Sequence, residues 1–373
     1  MKVVVLGSYA PSLINFRGAL IEEMVAAGHT VVGCAPGLHA EVAQALAARG
    51  AAYHPVALRR TGLNPLLDAW SVLRLAEVLR RLRPDLLFAY TSKPVIYGAM
   101  AARLARVPAV FALISGLGYA FVEGGGAARH LMRRLIGSLY RTSLRRADGV
   151  FFQNPDDLAD FRRMAIIGER HRAIRVNGSG VDTEHYGFSS PRLEPPTFLL
   201  IARLLKDKGI LEFVEAARQL RARHPQARFR LLGPLDSNPA AIPKSELERW
   251  RAEGVVEYLG EVADVRPHLS DATAFVLPSA YREGIPRTLL EAMATGRALI
   301  TTDTPGCRDT VLPGENGFLV PARDAGALAE ALERFVVQPD LAVTFGRRSR
   351  ALAEERFDVR KVNAVMLEAM GLK

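Results

Sequence analysis

The strongest limit on the fold comes from residues 272–293. Ala272 to Pro278 is a short apolar run typical of a buried parallel strand, and a polar turn, Ser279 to Arg287, follows it. A helix is predicted next, with Thr288 as its N-cap and Glu291 in its first turn. A strand, a loop and a helix N-terminus predict a site for a phosphate-bearing ligand, because free backbone N–H groups and the helix dipole favour an anion.

Four charged residues add chemistry to this site. Glu283 in the turn and Glu291 in the helix are eight positions apart, where carboxylates can accept hydrogen bonds from sugar hydroxyls. Arg203 and Lys208 follow another apolar strand, Thr197 to Ile201, and precede the next predicted helix. Two fixed cations there can hold a diphosphate and stabilise the charge that builds on a leaving group.

The R-x4-K and E-x7-E pairs on this pattern resemble those of the retaining, nucleotide-sugar-dependent glycosyltransferases of family 4. The resemblance covers nearly the whole chain and is strongest at residues 197–320. It implies the α/β architecture called GT-B, with two Rossmann-like β/α/β domains facing a central cleft and a C-terminal helix that crosses back to the first domain. It also implies a hexosyltransferase that uses a UDP-sugar as co-substrate.

Length and composition agree with two domains. The chain has 373 residues, about twice the usual size of one domain. No apolar run approaches the roughly 18 residues of a membrane span, and two cysteines, Cys34 and Cys307, make no disulfide framework or metal site. We expect the hinge near residues 180–195, where Pro191, Pro195 and Pro196 cluster. The expected parts are an acceptor-binding domain at 1–185, a nucleotide-sugar-binding domain at 186–354, and a returning helix at 355–373.

The family resemblance assigns roles in the donor site. Glu283 would hold hydroxyls of the donor sugar and Glu291 the ribose, while a turn at residues 260–262 would cup the base. Backbone N–H groups near Leu289 and Leu290 would meet the diphosphate. Arg203, Lys208 and Glu283 are the predicted catalytic residues. The predicted donor-binding residues are Gly7, Arg203, Lys208, Gly260, Glu261, Val262, Glu283, Gly284, Ile285, Pro286, Leu289, Leu290 and Glu291.

The chain opens with a β-α-β pattern in which residues 7–15 are expected to form a loop. Its first loop contains Gly7 but no G-x-G-x-x-G, which disfavours a dinucleotide-binding dehydrogenase. In the resembled family this loop faces the acceptor. Arg17, at the expected start of the next helix, either meets a phosphate there or is simply solvated.

Two further segments follow predicted strand ends, where ligands of open α/β sheets bind. Thr91 to Pro94 and Ser115 to Phe121, with Gly62 to Pro65, resemble a bacterial subgroup that adds sugars to undecaprenyl-diphosphate-linked precursors. That subgroup includes the acetylgalactosaminyltransferases that extend bacillosamine-diphospho-undecaprenol. The predicted acceptor-binding residues are Asn15, Phe16, Arg17, Thr91, Ser92, Lys93, Ser115 and Gly116.

The sequence departs from the wider family at Ser115. Many members carry a histidine there that contacts the donor sugar, although the resembled subgroup also lacks it. The sequence also offers no residue that can be named as a side-chain base. The chain has no D-x-D triplet to hold a metal, so we expect metal-independent transfer without a cofactor.

Charge is distributed unevenly. Residues 1–180 carry 23 Lys and Arg against 12 Asp and Glu, whereas residues 181–373 carry 26 against 27. This excess suggests an anionic partner for the first half, and an anionic membrane surface is favoured over nucleic acid because no RNP-like or zinc motif is present. We therefore expect a cytoplasmic protein that is peripheral on the inner face of the cell membrane.

A basic amphipathic helix is predicted from Ala128 to Arg146, and such a helix can lie on anionic lipid. The alternative is an ordinary surface helix whose apolar stripe packs on the sheet, and both can hold. Its apolar stripe comprises Leu131, Leu135, Ile136, Leu139, Tyr140 and Leu144. The predicted membrane-binding residues are Arg133, Arg134, Arg141, Arg145 and Arg146.

Two other functions stay open. A nucleotide-sugar 2-epimerase of the same architecture would need a charged acid/base set, for which the first half offers Lys93 but no obvious paired carboxylate. A catalytically inactive scaffold of polysaccharide assembly is disfavoured by the intact set Arg203, Lys208, Glu283 and Glu291.

Overall fold

A computed structural model describes residues 1–58, 64–117, 127–236, 238 and 240–373, with side chains at 127–129 outside the description. The chain divides into two compact units. One comprises Met1–Ser179 with Val359–Lys373, and the other comprises Gly180–Asp358. The boundaries expected from the sequence, after residues 185 and 354, lie a few positions away.

The first unit is built on a parallel sheet. Within the described residues its seven strands have the order β3-β2-β1-β4-β5-β6-β7, and every neighbouring pair is parallel. The strands are β1 Lys2–Leu6, β2 Thr30–Pro36, β3 Ala52–Val56, β4 Leu86–Tyr90, β5 Ala109–Ile114, β6 Gly149–Phe152 and β7 Ala173–Arg175.

Helices cover both faces of this sheet. Its alternating side chains divide accordingly, because Val4 and Leu6 join the core under α4, α5 and α6, whereas Val3 and Val5 join the core under α2 and α3. The helices are α1 Pro11–Asn15, α2 Gly18–Ala26, α3 Ala40–Ala47, α4 Pro65–Leu82, α5 Ala99–Ala105, α6 Ala127–Leu144 and α7 Pro155–Arg163, with a π-helical turn at Pro94–Gly98.

The second unit repeats this plan. Its described strands form a parallel sheet in the order β10-β9-β8-β11-β12-β13, so the carboxyl ends of β8 and β11 are neighbours. The strands are β8 Thr197–Ile201, β9 Arg228–Leu232, β10 Glu257–Gly260, β11 Ala274–Leu277, β12 Ala298–Thr302 and β13 Gly317–Val320. The helices are α8 Ile210–Arg223, α9 Lys244–Ala252, α10 Arg266–Ser270, α11 Arg287–Ala294, α12 Ala325–Val337 and α13 Asp340–Leu352, with a 3-10 turn at Lys206–Lys208.

The last helix, α14 (Val359–Met370), belongs to the first unit. It buries Val362 and Met366 in the same core as α2, and Asn363 Nδ2 donates to Glu23 Oε1 at 2.8 Å. The two parallel Rossmann-like sheets and this returning helix confirm the predicted fold class.

Some local predictions are wrong. The first loop contains α1, because Pro11 is favourable at a helix start, and α2 begins only at Gly18. Thr288 is not an N-cap: α11 begins at Arg287, so Thr288 lies inside the helix and makes no cap bond. For the same reason Glu291 lies beyond the first turn.

Candidate active site

The loops after β8 and β11 are packed against each other. The Ala280 N–H donates to the Asp207 carbonyl at 2.9 Å. Gly209 has a φ of +76°, and a Cβ on it would lie 2.1 Å from the Pro278 carbonyl oxygen. Only glycine permits this approach, which brings the cationic loop onto the loop that carries Glu283.

Lys208 and Glu283 form a direct ion pair. Lys208 Nζ lies 2.6 Å from Glu283 Oε1, and the two side chains are 12% and 15% exposed. Ser279 Oγ donates to the same carboxylate oxygen at 3.0 Å, and the Tyr281 ring centroid lies 5.6 Å from the ammonium. The structure thus joins one member of each predicted motif in a largely buried pair.

The loop after β12 supports Glu283 from a third direction. Thr304 Oγ1 donates to the Ser279 carbonyl at 3.2 Å. A Cβ on Gly306, whose φ is +82°, would lie 1.6 Å from the Gly284 carbonyl oxygen. Cys307 is buried beside this turn, and burial raises the pKa of its thiol to about 11. The orientation of Glu283 is therefore set by three loops.

Arg203 also has a carboxylate partner. Its guanidinium donates to Asp236 Oδ2 at 2.8 Å, from an exposed position after β8. Asp236 lies after β9, and the sequence analysis missed it because no spacing links the two residues. Both predicted diphosphate-binding cations therefore contact a carboxylate in this structure.

Glu291 lies in α11 and is buried. Arg287 Nε donates to Glu291 Oε1 at 2.7 Å, and the Tyr186 hydroxyl is hydrogen-bonded to the same carboxylate. Burial raises the pKa of Glu291, against the opposing effects of Arg287 and Tyr186. Burial also raises the pKa of Tyr186. The i,i+4 spacing of Arg287 and Glu291 could have indicated this pair, whereas nothing in the sequence links Tyr186 to it.

The backbone N–H groups at the start of α11, which were predicted to meet the diphosphate, donate hydrogen bonds within the helix. The N–H groups of Leu289 and Leu290 donate to the Pro286 carbonyl at 3.2 and 3.4 Å. Both leucine side chains are buried, as is that of Ile285. A diphosphate at Leu289 and Leu290 would therefore have to replace two long hydrogen bonds of the first helical turn.

The predicted base-binding turn lies at the same edge of the sheet, two strands from β8. Gly260 ends β10 with a φ of +77°, and its carbonyl accepts from the Gly233 N–H at 2.8 Å. Glu261 is exposed and Val262 is half-buried. The structure thus positions this turn next to the loop after β9, which also supplies Asp236.

In the first unit, Gly7 has a packing role. A Cβ on it would lie 2.4 Å from the Tyr90 hydroxyl oxygen, which is 2.7 Å from Ser12 Oγ. Burial raises the pKa of Tyr90 to about 12. Arg17 is buried with its guanidinium 5.1 Å from the Tyr90 ring centroid, so of the two alternatives for Arg17 the solvated one is wrong. Its neighbours Asn15 and Phe16 are exposed.

The segment after β4 contains a second lysine–carboxylate pair. Lys93 Nζ lies 3.0 Å from Asp68 Oδ1, and the Tyr97 hydroxyl donates to Asp68 Oδ2 at 2.8 Å. Thr91 has a φ of +69°, which is unusual for a β-branched residue, and its hydroxyl donates to Ser8 Oγ at 2.9 Å. Asp68 comes from α4 and is the paired carboxylate that the sequence analysis did not find.

The remaining predicted acceptor-binding residues lie at the same edge. Ser92 is exposed and hydrogen-bonds the buried Tyr140 hydroxyl. Ser115 and Gly116, whose φ is +101°, follow β5 directly. The rest of that motif, residues 118–121, and residues 62–63 of the Gly-Leu-Asn-Pro motif lie outside the described residues.

The predicted amphipathic helix, α6, is divided along its length. Tyr140 and Leu144 are buried in the core, whereas Leu131 and Leu135 are exposed, so the alternative of a stripe that packs on the sheet holds only for the second half of the helix. Arg141 donates to the carbonyls of Met164 and Ala165 at 2.8 and 2.7 Å. The other predicted membrane residues lie near both ends of α6: Arg133, Arg134, Arg145 and Arg146.

Two kinds of feature are absent from the described residues. None of the described helices combines the length and apolarity needed to cross a membrane. In the same part of the chain, no group of three or more His, Cys, Asp or Glu could hold a metal ion. Metal-independent transfer stays a prediction.

Comparison with known proteins identifies the class. Residues 16–177 match the family model described as "Glycosyl transferase 4-like domain", and residues 195–337 match "Glycosyl transferases group 1". Sucrose-phosphate synthase of Thermosynechococcus elongatus superposes with a TM-score of 0.79 at 18% identity, covering 100% of this chain and 98% of that one. HepE of Anabaena, solved in complex with UDP, gives a TM-score of 0.78 at 18% identity, covering all of both chains. These likenesses show the GT-B fold.

This chain belongs to the group 1 glycosyltransferases with a 4-like N-terminal domain. A relative in Campylobacter jejuni, N,N'-diacetylbacillosaminyl-diphospho-undecaprenol alpha-1,3-N-acetylgalactosaminyltransferase, is 29% identical over 94% of this chain and 93% of its own length. The putative colanic acid biosynthesis glycosyltransferase WcaL of Salmonella typhimurium is 32% identical over 54% of this chain and 52% of its own. The family resemblance stated from the motifs is confirmed.

Proposed function

We propose that this protein is a retaining glycosyltransferase of surface polysaccharide or glycan assembly. It moves a hexosyl or N-acetylhexosaminyl group from a UDP-sugar to a polyprenyl-diphosphate-linked saccharide. The Campylobacter relative, whose name specifies such an acceptor, supports this substrate class over nearly the whole chain. The Anabaena neighbour, solved with UDP, supports the donor class.

The Lys208–Glu283 pair carries this proposal. In a UDP-sugar the β-phosphate and the sugar hydroxyls are adjoining groups with opposite requirements: the first needs a cation and the second an acceptor. A lysine and a glutamate 2.6 Å apart supply both at one point. On donor binding, Lys208 would turn to the phosphate, while Ser279 continues to hold Glu283 for the hydroxyls.

The proposed mechanism is electrostatic. The bond between the anomeric carbon and the diphosphate oxygen breaks, and the acceptor oxygen forms the new bond on the same face of the sugar. Arg203 and Lys208 stabilise the charge on the departing UDP, and a donor phosphate oxygen takes the acceptor proton. This route needs no side-chain base, which agrees with a serine at position 115.

The protein would act at the inner face of the cell membrane as a peripheral protein. The excess of 23 Lys and Arg over 12 Asp and Glu in residues 1–180 supports an anionic membrane partner. A lipid-linked acceptor is itself confined to that surface.

The deciding experiment is a panel of nucleotide sugars with purified protein, with and without undecaprenyl-diphosphate-linked saccharides. The readouts are released UDP, product mass, and the anomeric configuration of the product by NMR. We expect acceptor-dependent UDP release with one donor and a retained anomeric configuration. Glu283→Gln should abolish it, whereas the matched control Glu330→Gln, an exposed residue of α12, should not.

Each alternative function predicts a different result in this experiment. Formation of a 2-epimeric UDP-sugar without acceptor would replace the transferase by the epimerase, with Asp68 and Lys93 as its first candidates for acid/base residues. Donor binding without release across the panel would support the scaffold. An inverted product would overturn the retaining mechanism alone.

A further inference from the structure

Helix α4 has an exposed apolar stripe. Leu75 and Leu79 are buried in the core, but Leu66, Trp70 and Leu73 are 82%, 52% and 62% exposed. At about 100° per residue, these three side chains fall within an arc of about 60°. The first half of α4 therefore presents a continuous apolar face that the core does not use.

The first half of α6 presents a second such face. Leu131, Met132 and Leu135 are 70%, 36% and 52% exposed, in contrast to the buried Tyr140 and Leu144 of its second half. Single exposed leucines are common on protein surfaces, but six large apolar side chains grouped on two helix beginnings are not.

The fold brings these two faces to one end of the first unit. Both α4 and α6 contact α5 or the π-helical turn before it, so they cover the same face of the sheet. Each helix follows a parallel strand, β3 and β5 respectively, and so begins at the carboxyl edge. We call the six residues Leu66, Trp70, Leu73, Leu131, Met132 and Leu135 the α4/α6 surface.

The charges around the α4/α6 surface are positive. Residues 127–144 contain four arginines and no Asp or Glu. The Arg74 guanidinium lies 5.7 Å from the Trp70 ring centroid. The acids of α4 are engaged, since Asp68 is bonded to Lys93 and Tyr97, and Glu77 to Arg74 and Arg81. An apolar surface with a basic border is complementary to an anionic lipid bilayer, in whose headgroup layer tryptophan is favoured.

We propose that the α4/α6 surface docks on the anionic lipid bilayer, with Trp70 at headgroup depth and Arg133 and Arg134 on lipid phosphates. Docking there would bring the edge with Lys93 and Ser115 to the membrane, where a diphosphate-linked acceptor resides. This inference rests on the proposed function for its acceptor, but the docking itself requires neither donor nor transfer. It adds α4 to the predicted basic helix and assigns no lipid contact to Arg145 and Arg146.

Trp70 is also the probe that tests this. The chain has two tryptophans, and Trp250 is buried in the second unit, so a change in emission on vesicle binding reports Trp70. With phosphatidylglycerol-containing vesicles we expect a blue shift and quenching by brominated lipid, both absent with pure phosphatidylcholine. The shift should disappear in Trp70→Phe.

Sedimentation with the same vesicles tests the surface without fluorescence. Leu66→Ser/Leu73→Ser should lower the vesicle partition coefficient at least tenfold. The control Leu211→Ser/Val337→Ser changes residues of the second unit that are 41% and 56% exposed and should bind as wild type. Arg133→Gln/Arg134→Gln should weaken binding more than Arg145→Gln/Arg146→Gln. Thermal unfolding of every variant checks that the fold is kept.

Several results would overturn the proposal. One is unchanged vesicle partitioning of Leu66→Ser/Leu73→Ser, and another is no quenching of Trp70 by brominated lipid. A third is a wild-type dimer in light scattering that dissociates in this double variant, because that would assign the surface to a second copy of the chain. A short-chain, water-soluble acceptor separates the two proposals. Transfer to it without any vesicle binding removes the docking alone. Vesicle binding without transfer to any acceptor removes the proposed function and leaves the docking intact.

Discussion

The carboxyl edges of the two sheets make a useful comparison, because each holds one largely buried lysine–carboxylate pair. In the first unit Lys93 Nζ lies 3.0 Å from Asp68 Oδ1, and in the second Lys208 Nζ lies 2.6 Å from Glu283 Oε1. A neighbouring hydroxyl, of Tyr97 or of Ser279, donates to each carboxylate. The carboxyl edges of the two sheets thus carry the same local chemistry, although the lysines and carboxylates come from different elements of each sheet.

The surroundings differ. Glu283 is held by loops after β8, β11 and β12, which are neighbouring strands, so the contacts described above come from strand ends. Asp68 comes from α4, whose other side is the apolar stripe of Trp70 and its neighbours. A pair enclosed by polar loops suits a soluble, polar nucleotide sugar, whereas a pair beside exposed apolar helices suits an acceptor with a lipid tail. Under the proposed function, one architecture binds a water-soluble donor at one sheet edge and a lipid-linked acceptor at the other.

The largest effect should come from breaking the Lys208–Glu283 pair. Lys208→Ala should lower kcat by about 10²–10³-fold, because a fixed cation that stabilises the departing diphosphate is lost. The control Lys206→Ala removes an exposed cation from the same 3-10 turn and should leave kcat within twofold. Steady-state transfer rates with saturating donor measure this, and equal rates for the two variants would contradict the proposed role of Lys208.

The loops that align Lys208 and Glu283 pack closely, so a substitution at their contact should lower the stability of the protein. Gly209→Ala should destabilise the protein by about 3 kcal/mol, since left-handed strain is joined by a clash with the Pro278 carbonyl. Gly314→Ala is the matched control, because Gly314 has a φ of +79° with nothing within 4 Å of its Cβ position, and should cost about 1 kcal/mol. Denaturant unfolding measures both. Similar losses would mean that the loop contact relaxes easily.

Breaking the Lys93–Asp68 pair should have a smaller effect, on stability and on acceptor binding. Asp68→Asn removes the negative charge 3.0 Å from the largely buried Lys93 ammonium and should cost about 1–2 kcal/mol of stability. If the two edges serve different substrates, KM for the lipid-linked acceptor should rise while KM for the donor stays unchanged. Glu283→Asp should show the opposite pattern. A rise in donor KM for Asp68→Asn would remove the distinction between the edges.

The smallest effect is expected at Thr288, which the sequence wrongly predicted to be the N-cap of α11. Thr288→Ala should change stability by less than about 0.5 kcal/mol, because Thr288 makes no cap bond. Asp324→Ala is the comparison, since the Asp324 carboxylate accepts from the Ala327 N–H at 2.9 Å as the N-cap of α12, and should cost about 1 kcal/mol. Equal effects of the two substitutions on the melting temperature would show that cap bonds contribute little in this protein.

Continuous apolar runs predicted the buried strands best. The bounds expected for β8, Thr197 to Ile201, agree with the structure, and the apolar run from Ala272 to Pro278 contains β11, because strands covered on both faces have no polar alternation. The missed strand β3 contains His54 and Pro55 and lies at the sheet edge, where a proline is tolerated and the apolar pattern is weak.

The site residues also divide into those that the sequence predicted and those that it did not. The family resemblance assigned Lys208 and Glu283 to one donor site, and the structure joins them directly because their loops follow the neighbouring strands β8 and β11. Asp68, Asp236 and Tyr186 were missed because each reaches its partner from a distant segment, through contacts that leave no fixed spacing. Spacing within one loop or helix can be predicted from sequence, whereas partners that meet only in the folded chain cannot.

The return of α14 to the first unit has a consequence for how the protein is made. Its Met366 and Leu367 complete a core whose other members, such as Leu20 and Met24, are translated before the whole second unit. At about 5–20 residues per second, the ribosome needs roughly 10 to 40 seconds to translate the intervening residues 180–358. During that interval one face of the first sheet lacks its last helix. The second unit, encoded by one uninterrupted stretch, can therefore complete its core before the first does.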